Sequence, residues 1–60
     1  MQNYSVAIDW ATLNGEPETT VDYVKANSED EAIEILREQV SKEPNFWKTQ
    51  GGSAMACPDR

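Results

Sequence analysis

The stretch Ser28–Ser41, SEDEAIEILREQVS, decides how the rest of the chain can fold. Ser28 stands where a helix N-cap belongs, and Glu31 follows three residues later. This spacing predicts a capping box, in which the Ser28 hydroxyl accepts from the backbone N–H of Glu31 and the Glu31 carboxylate reaches back to the N–H of Ser28. Glu29, Asp30 and Glu31 place negative charge in the first turn, where the helix dipole favours it. The interior holds no Gly or Pro, so nothing interrupts propagation. Downstream, Pro44 pushes Glu43 out of helical geometry. The expected helix covers residues 28–42.

At about 100° per residue, Ala32, Ile33, Leu36 and Val40 share one stripe and Ile35 lies at its flank. Asp30, Glu31, Glu34 and Glu38 fall on the other side. Such a stripe requires a partner surface, and the preceding residues supply one. YSVAIDW, residues 4–10, alternates with Tyr4, Val6, Ile8 and Trp10 on one face, the pattern of a half-buried strand. ETTVDYVKA, residues 18–26, is rich in β-branched and aromatic residues. Between them, Asn14-Gly15 is a tight-turn signal, with Pro17 close behind.

If Asn14 and Gly15 form a two-residue loop, Leu13 sits opposite Glu16, Ile8 pairs with Val21, Val6 with Tyr23, and Trp10 with Thr19. The apolar faces of the two strands then coincide, which favours that register. A bulge near Pro17 shifts the pairing by one residue and turns Val24 and Ala26 inward instead. Either way, the expected fold class is α+β, a two-layer ββα unit in which an antiparallel hairpin packs on one helix. The strands span about 4–11 and 18–26. A stable sheet needs three strands, so residues 45–50, around Phe46 and Trp47, are expected to form a third, giving ββαβ. The tail, 51–60, is read as either a loose end or a short fourth strand at 53–57. One small domain accounts for all 60 residues.

The chain carries eleven acidic and five basic residues, a formal net charge of −6. That balance disfavours direct binding to nucleic acid or to an anionic membrane and favours a partner with a basic surface. The lone cysteine, Cys57, has no internal disulfide partner, which points to a reducing, cytoplasmic setting. No signal peptide is recognised at the N-terminus, and no run approaches the length of a membrane span.

There is no histidine, which removes the usual general base and the commonest metal ligand. Cys57 has no histidine to activate it. The carboxylates lack the spacing of a calcium loop, and no Gly-rich phosphate loop is present. No enzyme activity, cofactor or metal is expected.

What remains is the acidic helix surface. Asp30, Glu34 and Glu38 stand at i, i+4 and i+8, where like charges repel by a few tenths of a kcal/mol per pair. Arg37 offsets part of this, as does Lys42 through the Glu38–Lys42 spacing. A solvated face is the simplest account. The functional account is a surface offered to a basic groove: Asp30, Glu31, Glu34 and Glu38 supply the charge, and Trp47 supplies an apolar anchor. Small acidic proteins of this kind are typical of phages and other mobile elements, where they inhibit a host protein by mimicking nucleic acid. That context is an analogy. The run Val24–Ile33 resembles a strand-to-helix junction common in small bacterial and phage proteins, although capping and packing alone account for its residues. The first alternative is a structural module that dimerises through an open sheet edge. The second is a small nucleic-acid-binding domain, against which the charge stands.

Overall fold

The computed structural model describes residues 1–57. Three strands and one helix follow in the order β1 (Gln2–Thr12), β2 (Pro17–Ala26), α1 (Glu29–Val40) and β3 (Phe46–Ala56). The sheet is antiparallel with strand order β2-β1-β3, and α1 lies across one of its faces. The ββαβ expectation therefore holds.

The β1–β2 register is the shifted one. Ile8 lies opposite Thr20, Val6 opposite Asp22 and Trp10 opposite Glu18. The turn is the cause. Of Asn14 and Gly15, only Gly15 takes a left-handed conformation, at φ 84°, so the two-residue turn that needs positive φ at both does not form. Instead Gly15 N–H donates to the Thr12 carbonyl (2.9 Å) and Thr12 N–H donates to the Glu16 carbonyl (2.9 Å). The Thr12 hydroxyl accepts from Glu16 N–H at 3.1 Å. A three-residue loop, Leu13-Asn14-Gly15, results. Pro17 then pairs with Ala11 at a non-hydrogen-bonded position of the ladder, where its missing N–H costs nothing.

This one-residue shift exchanges the faces of β2. Val24 and Ala26 are buried, while Val21 and Tyr23 are 63% and 74% exposed. The core is Tyr4, Val6, Ile8, Trp10, Val24 and Ala26 under Ala32, Leu36 and Val40, with Ile33, Ile35, Phe46 and Ala54 packed around it. Val21 and Tyr23 are not part of it, contrary to the favoured sequence register.

The N-terminal cap of α1 forms with one change. Glu31 N–H donates to Ser28 Oγ at 3.2 Å. The Glu31 carboxylate, however, reaches Asn27 rather than Ser28, accepting from its backbone N–H (3.3 Å) and its side-chain amide (3.5 Å). Asn27 thus presents its backbone N–H and its side-chain amide to the two oxygens of one carboxylate. The helix ends at Val40, two residues short of the expected 42, with Ser41 as C-cap. Lys42 N–H donates to the Gln39 carbonyl and Glu43 N–H to that of Val40, an i to i+3 tightening beyond the last turn. Lys42 therefore leaves helical spacing from Glu38, and the expected Glu38–Lys42 pair is not among the ion pairs of the described residues.

β3 is one strand of eleven residues, so Ser53–Ala56 continues the third strand and no fourth forms among the described residues. The part of the tail at 58–60 lies outside the described residues. Two register shifts against β1 leave Trp47 and Gln50 as extra residues on β3, each a β-bulge that bends the strand. Phe46 packs on Trp10 with ring centroids 5.9 Å apart. Farther along, Gly52 faces the core, where a Cβ would stand 2.8 Å from Ile8 Cδ1 and 3.3 Å from Ile33 Cγ2. Its lack of a side chain lets α1 settle onto β3.

Candidate functional site

The acidic residues take their positions from the burial of Ala32, Leu36 and Val40. With that stripe turned to the sheet, Asp30, Glu34 and Glu38 are exposed. Asp30 and Glu34 lean toward β3. With Ile33 and Arg37 they line a cleft of about 560 Å³ whose far wall is Thr49-Gln50-Gly51-Gly52. Glu38 lies farther round the helix. Glu31 is half-buried and tied to Asn27, so it serves the cap.

The charge of this surface is only partly compensated. Arg37 donates to both Glu34 oxygens, at 3.1 and 3.3 Å. Both side chains are about half or more exposed, and an exposed pair of this kind contributes about 0–1 kcal/mol. Asp30 and Glu38 take part in no ion pair among the described residues.

Trp47 does not join them. Lys48 lies opposite Ala11 on β1, on the sheet face away from α1, and its ammonium sits 4.5 Å from the Trp47 ring centroid. The bulge at Trp47 thus brings two consecutive side chains to one side of β3, while Phe46 takes the core side. The four acids and Trp47 occupy opposite sides of a thin molecule.

A second surface escapes the sequence reading. Val21 and Tyr23 of β2 and Met55 of β3 stand exposed on the helix-free face of the sheet. The signal was present in the alternation of Val21 and Tyr23, but the two-residue turn assigned those residues to the core.

Among the described residues, no three His, Cys, Asp or Glu side chains converge as a metal site, and no helix is long and apolar enough to cross a membrane. Cys57 is a free, half-exposed thiol. No protein-family model, curated protein or solved structure matches the chain, so a functional reading stands on its geometry alone.

Proposed function

We propose that this protein is a non-catalytic acidic binding protein whose α1 surface occupies a basic, nucleic-acid-binding surface of a protein partner. The observation that carries the reading is the segregation of charge. Glu29, Asp30, Glu31, Glu34, Glu38 and Glu43 lie on α1 or just beyond it, where Arg37 and Lys42 are the cations. Successive carboxylates at i and i+4 rise about 6 Å along a helix. Alternate phosphates of one DNA strand rise about 6.8 Å, so a groove that accepts phosphates can accept this ladder. An inhibitor encoded by a phage or another mobile element is the setting that best fits a chain of this size and charge.

The test is affinity capture from a bacterial lysate, followed by competition. The expected result is a captured nucleic-acid-binding protein that added duplex DNA displaces. Raising the salt from about 0.1 to about 0.5 M should weaken its binding at least tenfold, since counterion screening acts on exposed charges. Glu34→Lys with Glu38→Lys should abolish capture. A partner indifferent to salt, DNA and both substitutions would overturn the reading.

A further inference from the structure

The face of the sheet opposite α1 is bare, and the large apolar side chains that the strands expose gather there among polar ones. Val21, Tyr23 and Met55 are 63%, 74% and 72% exposed, and Trp47, at the end of the same face, is 54% exposed. The other large exposed apolar residues, Met1 and Leu13, precede β1 and sit in the hairpin loop. Apolar side chains gathered on one face rather than scattered mark a surface that is covered in the working protein.

We propose that a second copy of this chain covers it: two sheets pack face to face in a symmetric dimer, with the two α1 helices on the outside.

Charge selects this face for a contact between copies. Each chain carries −6, so most contacts between copies bring carboxylates together. The bare face is the exception. Strand alternation and the sheet register place one carboxylate there, Asp9, against two ammonium groups, Lys25 and Lys48. The Asp9 carboxylate already accepts the Thr19 hydroxyl at 2.8 Å. Sheets stack about 10 Å apart and a helix layer adds about 10 Å on each side, which separates the acidic surfaces by about 30 Å. That is several Debye lengths at physiological salt.

Size and shape agree. The molecule measures 40 × 15 × 15 Å. A face of those dimensions gives at most about 600 Å² per copy, hence up to about 1,200 Å² for the pair, so most of the face must be covered to pass the roughly 1,000 Å² that a specific interface needs. Tyr23 and Met55 flank the small Ser5 across the three strands, and Val21 flanks Ala7. On the β3 side Ala7 and Asp9 face only Ser53 and Gly51, so the relief is uneven, and Val21 and Tyr23 of one copy can stand over the small residues of the other, as side chains of facing sheets do in a sandwich.

The sheet edges are poorer candidates. The β2 edge carries Glu18 and Asp22, which edge pairing would oppose to their own copies. The β3 edge is bent by its two bulges, a common protection against strand addition. The face-to-face dimer leaves both α1 surfaces free and does not rest on the acidic-surface reading.

The experiment is sedimentation equilibrium of the full chain from about 1 μM to about 1 mM. The expected result is a dimer of twice the 6.7 kDa chain mass that persists or tightens at about 1 M salt, where residual repulsion is screened and apolar contact is not. Tyr23→Lys and Val21→Asp should each weaken it tenfold or more while preserving a cooperative melt. If either lowers stability, Met55→Lys repeats the test from the other strand. Glu34→Lys should leave the dimer intact. A monomer across the whole range, or a dimer that survives these three bare-face substitutions, would overturn the proposal. A monomeric chain that still captures a basic protein through Glu34 and Glu38 would overturn the dimer while the acidic-surface reading stands.

Discussion

Trp10 donates its indole N–H to the Thr20 hydroxyl at 3.0 Å, diagonally across the β1–β2 hairpin. This bond exists only in the shifted register, because with Ile8 opposite Val21 the Thr20 side chain would lie on the far face. Trp10 is 6% exposed, so its N–H has little water to fall back on. Thr20→Val keeps the shape and removes the acceptor. Urea denaturation should show a loss of about 1–2 kcal/mol, and an unchanged midpoint would contradict the bond.

The same register predicts opposite outcomes for two valines three residues apart. Val24 is 8% exposed and Val21 is 63% exposed. Val24→Ala should cost about 2 kcal/mol through lost burial and the cavity left behind. Val21→Ala should stay within about 0.5 kcal/mol for the monomer, measured at concentrations below any association. The reverse ranking would restore the two-residue turn.

Adjacent glycines on β3 should behave differently as well. A Cβ on Gly52 meets Ile8 Cδ1 at 2.8 Å, whereas one on Gly51 meets nothing nearer than Asp9 Oδ2 at 4.0 Å. Gly52→Ala should destabilise by about 1–3 kcal/mol, as overpacking does. Gly51→Ala should be neutral, or stabilise by up to about 1 kcal/mol by restricting the unfolded chain. Thermal melts of the two variants check the contrast, and equal shifts would mean that α1 does not press on Gly52.

Two local devices hold the ends of the elements. Ser28→Ala removes the acceptor for Glu31 N–H and should cost about 1 kcal/mol. Gly15→Ala has open space around its Cβ but keeps φ at 84°, so it should cost about 1–2 kcal/mol through backbone strain alone. Chemical denaturation of both variants tests this, and a neutral Gly15→Ala would show that the loop can adopt another turn.

Much of this fold was legible because its signals are local. The Ser28 cap, the acidic first turn and the 3.6-residue recurrence of Ala32, Leu36 and Val40 each act within a few residues, as does the alternation from Tyr4 to Trp10. β2 was harder to read because the chain from Val21 to Ala26 presents apolar side chains to both faces, so either register buries two of them: Val21 and Tyr23, or Val24 and Ala26. The acidic ladder was legible as composition and spacing, but its lean toward β3 and the absence of the Glu38–Lys42 pair depend on how the helix is seated and where it ends.

The sequence by itself determined one helix with its cap, two long strands joined at Asn14-Gly15, and an acidic outer surface, since short-range hydrogen bonding and periodicity suffice for these. The tertiary structure alone decided which side of β2 is core, that residues 46–56 form a single bulged strand beside β1, and that Trp47 stands away from the acids. Those outcomes depend on a one-residue choice of turn and on contacts between residues some forty positions apart. The helix that organises the chain therefore covers only one face of the sheet, and the register places Val21 and Tyr23 on the other.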